Sequence, residues 1–460
     1  MKYRIALWLF VLSLLPTLAS ADTASADPDL QAIRAELDAM KVQYELRIGR
    51  LEQRLEAAEQ ELAQQPVHSA LSSQPVYAAA APPAEASGGY ASASNQYNPA
   101  IGVILNGAAR AYSNDPEDHS IPGFPAGGES GLADEGLTMG ESEFVFTSNV
   151  DDWFYGQVTM AIEAEDGDFE TSLEESFLDT SNMPGGTALR FGRFYSSVGY
   201  LNNKHLHTWA FADQALPYSA FMGGQYGDDG LQARWLAPTD LYLELGAEVF
   251  RGSNYPAAGD ADNGFGTKAV FAKFGGDVGM SNSWAAGVSW LGAKAKDRDS
   301  GDEDAPIEFS GDSDTYIADL VWKWAPNGNI RDRNLIFQAE YMWREENGDY
   351  LLPDGQFLPS IDNDASGWYA QLIYQWQPRW RVGLRMDGLQ LDDGDRALAG
   401  SELDDLGDDP RRYSLMFDYS HSEFSRIRVQ YNRDETGRSN SNQFTLQYIM
   451  SIGAHGGHEF

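Results

Sequence analysis

Cysteine is absent from the 460 residues. That excludes a disulfide scaffold, a thiolate zinc site, a cysteine nucleophile and a lipid-modified N-terminal cysteine. Histidine is scarce, with seven in all, which leaves little for a histidine-rich metal enzyme. Basic side chains are outnumbered, 32 against 69 acidic, for a formal charge of −37. A nucleic-acid binder needs a basic face, so no nucleic-acid partner is expected. Beyond the N-terminus no apolar run approaches the ~20 residues of a spanning helix. What is plentiful is glycine (46), tyrosine (22), phenylalanine (22) and tryptophan (12). A polar, thiol-free chain rich in aromatics and glycine has the balance of an outer-membrane β-barrel, apolar toward lipid and polar toward its lumen.

The first residues read as an address. Lys2 and Arg4 precede the apolar run Ile5–Leu12, and Ala19-Ser20-Ala21 follows as a small-residue cleavage site. Residues 1–21 are thus expected to be a secretory signal peptide. Over 28–65 the spacing changes to threes and fours, through Leu30, Ile33, Leu37, Met40, Tyr44, Ile48, Leu51, Leu55, Ala58 and Leu62. This is a heptad seam with one extra step at Tyr44–Ile48. It predicts a periplasmic coiled-coil helix that pairs with copies of itself, a single amphipathic helix on the barrel being the alternative. Residues 66–98, rich in Ala, Ser, Pro and Gly, read as a flexible linker.

From 99 to 460 one pattern repeats: an alternating segment, then a turn. Leu241, Leu243, Leu245, Ala247 and Val249 alternate with Tyr242, Glu244, Gly246, Glu248 and Phe250; Phe444, Leu446, Tyr448 and Met450 repeat it against Gln443, Thr445, Gln447 and Ser451. A period of two gives one apolar and one polar face. Sixteen such segments can be counted. Short turns such as Asn149–Asp152 and Pro326–Asn329 alternate with long connections such as 197–229, 294–312, 346–364 and 391–410. Trp153, Trp343, Trp368, Trp376 and Trp380 gather at segment ends, where interfacial girdles sit. The fold predicted is a 16-stranded antiparallel transmembrane β-barrel preceded by an N-terminal coiled-coil helix. Phe460 at the end of the chain fits recognition by the barrel-insertion machinery.

Sixteen strands leave a water-filled lumen rather than a packed core. The strands and loops consume the C-terminal region, leaving no segment for the plug of a larger energised transporter. Passive diffusion of small hydrophilic solutes is therefore the expected function. The connection 197–229 is in the position of a third external loop. Its aromatic and apolar residues, Tyr200, Leu201, Trp209, Phe211, Leu216, Tyr218 and Phe221, suit packing against the inner wall. A loop of this length is usually functional, so it is expected to constrict the pore. Arg190, Asp228, Asp229, Arg381, Arg385, Arg426 and Arg428 join it as charged constriction residues. His205, His207 and Asp213 could offer nitrogen and oxygen ligands to a zinc-like ion, or the two histidines could fasten the loop to the wall. No resident cofactor is expected, and transient binding of zinc or calcium is the one open metal role. Acidic runs at 297–314 and 392–409 would attract cations through their summed field.

The stretch GRFYSSVGYLNNKHLHTWAFADQALPYSAFMGGQYGDDGLQARWLAPTDLYLELGAE resembles a family of proteobacterial outer-membrane proteins often labelled zinc-regulated outer-membrane receptors. The opening NPAIGVILNG, the IPGF of the first loop, MGESEF and the ending MSIGAHGGHEF match it too. The resemblance covers about Asn98–Phe460 and implies a porin-like barrel with a link to metal supply. By position, His205, His207 and Asp213 fall on its loop motif, and His455 and His458 on its terminal motif. In layout the chain is also similar to phosphate-selective and siderophore porins. An enzyme is not expected, for there is no G-x-S-x-G, H-E-x-x-H or glycine-rich phosphate loop. The rivals to a porin are a plugless receptor for metal uptake and a structural envelope tether. Expected partners are outer-membrane lipid, lipopolysaccharide and two further copies of the chain in a homotrimer, in the outer membrane of a Gram-negative bacterium with the stalk in the periplasm.

Overall fold

The computed structural model describes residues 99–453, apart from 118, 126, 128–129, 166–167, 259–263, 303–304, 395–397, 399, 401–402, 405–406, 408 and 438. The expected signal peptide, coiled-coil stalk and linker lie outside the described residues, as do His455, His458 and Phe460.

Alternation produces strands throughout. They are β1 (Ala100–Tyr112), β2 (Gly136–Met139), β3 (Ser142–Asn149), β4 (Phe154–Glu165), β5 (Asp168–Thr180), β6 (Thr187–Tyr195), β7 (Gly227–Leu236) and β8 (Tyr242–Phe250). They continue as β9 (Thr267–Val278), β10 (Asn282–Asp302), β11 (Ala305–Trp324), β12 (Asn334–Leu351) and β13 (Phe357–Gln377). The last are β14 (Trp380–Gly394), β15 (Arg411–Ser422), β16 (Ser425–Glu435) and β17 (Ser441–Gly453). Apart from β2 with β3, each pairs antiparallel with its sequence neighbour, and β17 closes on β1 from Gly102↔Gly453 to Tyr112↔Gln443. Closure leaves no strand edge to template aggregation.

β2 and β3 both pair with β1, over Gly107–Arg110 and Ala100–Ile104 respectively. They are two halves of one spanning segment, so the barrel has sixteen staves, as the alternation predicts. At the break the Ser142 hydroxyl accepts the Asn106 N–H (3.1 Å), standing in for a ladder bond.

The molecule is inside out relative to a soluble protein. Leu231, Leu245, Val270, Leu320, Leu372, Leu384, Leu415, Val429 and Leu446 are exposed on the outer face. Gln232, Glu248, Gln338, Glu340, Gln371, Asp418, Gln430 and Gln447 are buried inside. Polar groups face inward because lipid offers them no hydrogen bond.

The sequence reading of 294–312 and 346–364 as loops is corrected. β10 and β11 are 21 and 20 residues long, and β12 and β13 are 18 and 21. A tilted spanning strand needs only about 9–11, so these hairpins run on well past a membrane. Ile307, Phe309, Tyr350, Leu358, Ile361, Leu398 and Leu403 form a second apolar cluster there, which keeps the extensions paired.

Candidate functional site: an inward loop held between two charged walls

Between β6 and β7 the chain leaves the sheet and crosses the interior. The crossing starts with a 3-10 turn at Leu206–Thr208 and a short helix, α1 (Leu216–Met222). Pro217 sits in its first turn, where no N–H is needed, and Gly223, with φ of 62°, ends it. Phe194, Val198, Trp209, Leu216, Tyr218, Phe221, Met222 and Tyr226 pack against Ile317, Met342, Tyr369 and Leu389 of the wall. From the first external connection, Phe124 adds a ring 6.1 Å from that of Phe221.

The polar anchors fall into two sets. On one wall, carboxylates and a hydroxyl accept the loop's N–H groups. Glu248 of β8 takes Ser197 N (2.9 Å) and the Ser196 hydroxyl. Glu340 of β12 takes Tyr200 N (2.9 Å), Leu201 N (3.2 Å) and the Tyr218 hydroxyl (2.9 Å). Ser289 Oγ takes Gly199 N at 3.1 Å. Gly199 has φ of 64°, and a Cβ there would stand 2.5 Å from Glu340 Oε2. Only glycine permits that approach.

On the other wall, arginines donate to the loop's carbonyls. Arg426 reaches His207 O (2.5 Å), Arg428 reaches Trp209 O (2.6 Å), and Arg385 reaches both Asp213 O (3.0 Å) and Asp213 Oδ1 (2.8 Å). Arg412 holds Asp213 Oδ2 at 3.1 Å. Around α1, Asp387 of β14 accepts Leu216 N (3.1 Å) and Arg344 of β12 donates to Ala220 O (3.2 Å). The acid at the helix N-terminus and the base near its C-terminus both complement the orphan groups there.

These placements correct several expectations. Asp213 does not join the histidines; Arg385 and Arg412 claim it. Burial pushes its carboxyl up, yet the two guanidinium groups outweigh that and hold its pKa below the usual range. Arg385, Arg426 and Arg428 are inward-facing but lie under the loop, Arg428 only 1 % exposed, so they fasten it rather than line open water. Arg190 is locked to Asp179 at 2.7 and 2.8 Å, and Arg381 to Asp418 at 2.9 Å. Asp228 is buried and takes Gly252 N (2.8 Å) and Ser253 N (2.6 Å), tying down the β8–β9 connection. Asp229 stands on the outward row with Leu231 and Trp235, paired with Arg193 at 3.1 Å.

His205 and His207 do come together, their rings stacked with centroids 5.9 Å apart. His207 Nδ1 lies 2.7 Å from Glu143 Oε1. His205 Nε2 lies 3.0 Å from Glu175 Oε2, and its Nδ1 is 3.3 Å from Glu143 Oε2 and 3.5 Å from Glu174 Oε2. Burial would lower the pKa of His205, but Glu143 first, then Glu174 and Glu175, outweigh it and hold the imidazolium well above its ordinary range. Glu143 lies within MGESEF. Glu174 and Glu175 break the alternation of β5: Thr159 pairs with Glu175 and Met160 with Leu173, leaving Glu174 as a bulge. A bulge re-aims a side chain, and here it brings two consecutive carboxylates to the same histidine.

No family model matches the chain. Its fold is similar to that of the outer-membrane channel DcaP of Acinetobacter baumannii (TM-score 0.50, 16 % identity, covering 79 % of this chain and 99 % of that one). It is equally similar to Pseudomonas putida OprB (TM-score 0.50, 11 % identity, covering 78 % and 95 %). Identities this low speak for the fold alone. An uncharacterised protein of Aquifex aeolicus is 31 % identical over 344 residues, 71 % of this chain and 70 % of that protein. The sequence match and the closed sixteen-stave architecture together place the chain in one family with that Aquifex aeolicus protein.

Proposed function

We propose that the protein is a porin-like outer-membrane channel through which small hydrophilic solutes diffuse passively, its bore set by the inward loop. The observation that carries this is the closed sixteen-stave barrel, apolar outside and polar inside, crossed by a loop anchored on both walls. Barrels of this strand number enclose an aqueous channel. The DcaP structure is described as an outer-membrane channel, and the same use of the fold is what we infer here. Carboxylates on one wall and arginines on the other set a field across the lumen. The chain's excess of acidic groups favours cations over anions by long-range attraction. Metal ions or their chelates are the narrower solute class, supported by the imidazole–carboxylate cluster at the loop root. The setting that fits is the outer membrane of a Gram-negative bacterium, with lipid and lipopolysaccharide around a homotrimer.

The test is conductance. Purified full-length protein in a planar bilayer is expected to give stepwise, ohmic channels. Replacing 200–222 by a short Gly-Ser linker should enlarge each step several-fold. Reversal potentials in a KCl gradient should show a mild preference for K⁺. Absence of channels from protein that is folded and inserted would overturn the reading, and clear anion preference would overturn the charge argument.

A further inference from the structure

We propose that Glu143, Glu174 and His205 form a binding site for one divalent transition-metal cation, with Glu175 and His207 positioning the ligands. One ligand atom from each of the three lies within 4.8 Å of the others. They come from three separate segments: β3, the bulge of β5, and the loop root.

Three features separate this from a mere acidic cluster. First, the histidine is oriented as a ligand. Nε2 of His205 is engaged by Glu175 at 3.0 Å, which leaves Nδ1 as the ligating atom. A carboxylate on the far nitrogen of an imidazole is the usual support of a metal-bound histidine, fixing both tautomer and ring orientation. Nδ1 makes no hydrogen bond. Second, the Glu174 side chain is only 7 % exposed, and its Oε2 likewise makes no hydrogen bond. Its other oxygen takes the Tyr195 hydroxyl at 3.1 Å, so the carboxylate is held with one oxygen aimed at His205. Within the chain the cation that faces this buried oxygen is the His205 imidazolium, 3.5 Å away; a metal cation on Nδ1 would displace that proton and take over the charge compensation a buried carboxylate needs. Among the described residues no lysine or arginine is ion-paired with Glu174 or Glu175.

Third, the spacing suits an ion. Bonds of about 2.1 Å at the tetrahedral angle put neighbouring ligand atoms about 3.4 Å apart. The Nδ1–oxygen distances are 3.3 and 3.5 Å. Calcium and magnesium prefer oxygen-only sets, whereas one imidazole with carboxylates suits zinc and its first-row neighbours. His207, bonded to the second oxygen of Glu143, fixes that carboxylate. The side chain of His205 is 17 % exposed, which gives a cation a way in.

The test uses detergent-solubilised full-length protein with any affinity tag removed. Calorimetric titration with Zn²⁺ should show one saturable site per chain, and Mg²⁺ should not compete. Glu174→Gln and His205→Gln should each weaken Zn²⁺ by at least tenfold, and Glu175→Gln by roughly 10–100-fold as an orienting partner. His455→Ala/His458→Ala, which changes none of the five residues named for the site, should leave the affinity unchanged. Because the cluster also steadies the loop root, a measurement on unmutated protein stands beside the variants. Cu²⁺ bound at one equivalent should give an electron paramagnetic resonance spectrum with coupling to a single imidazole nitrogen. Wild-type affinity in His205→Gln, loss of binding in the His455/His458 variant, or a copper spectrum without nitrogen coupling would each overturn the site. The site deepens the channel reading, yet its affinity is read without any current. Zinc binding by a barrel that conducts nothing would refute the pore and leave the site standing.

Discussion

At the scale of single residues, the decisive groups are those that join loop to wall. Asp213 accepts from Arg385, Arg412, Gln430 and Asn432, and breaking a buried pair of this kind costs about 3–5 kcal/mol. Asp213→Asn is expected to raise hydrogen exchange over 209–222 by at least tenfold at neutral pH, read by mass spectrometry; unchanged protection would show that the apolar cluster alone holds the loop. The same bonds set a pH dependence. The folded pKa of Asp213 is depressed, so its contribution is complete above the unfolded value of about 3.9 and is lost as pH falls through the lower folded value. Loop protection should thus be flat from pH 8 to about 5 and fall only in the acid range. Gly199→Ala forces a Cβ onto Glu340 at a left-handed backbone position. It should loosen the loop root while leaving barrel circular dichroism unaltered.

Elements add a second layer. α1 is too short to persist alone; it exists because Asp387 caps one end, Arg344 meets the other, and the wall covers its apolar side. Asp387→Ala removes both the cap and the buried pair with Arg385 at 2.9 Å, so it should cost about 3–5 kcal/mol and appear as larger open-channel noise, with mean conductance shifted by less than in the linker-replaced protein. The break between β2 and β3 and the bulge at Glu174 are the other local devices. Both interrupt a ladder beside the histidine cluster, which fits the habit of bulges to sit where a side chain must be re-aimed.

For the whole molecule, the outward apolar belt and the inward polar lining imply opposite tolerances. Leu384→Arg, on the exposed row of β14, should cost about 2–4 kcal/mol if it lies near the bilayer midplane, measured as a shift in urea-dependent folding into lipid. Leu384→Ala on the same row should cost far less. The protein should need detergent to stay monodisperse, and unheated samples should migrate differently from boiled ones in dodecyl sulfate gels as the closed sheet resists opening.

Much of this was legible in the sequence because a strand's faces are a local property. Alternation with a period of two located all sixteen staves, and the inward aromatic loop announced itself by its length and composition. Alternation could not show that β10–β13 continue beyond the membrane, since paired strands in polar hairpins carry Gly, Asp and Ser as loops do. Nor could it separate His205 from Asp213. These two residues are eight positions apart, but the loop between them crosses the lumen and meets different staves. Their partners, Glu143 and Glu174 for one, Arg385 and Arg412 for the other, come from remote strands whose register, with the bulge at Glu174, decides which side chains meet. The sequence by itself therefore determined what each residue faces, lipid or lumen, because that follows from its neighbours two positions away. Only the tertiary structure decided what each lumen residue touches, because that depends on closing the sheet into a ring and folding one loop across it.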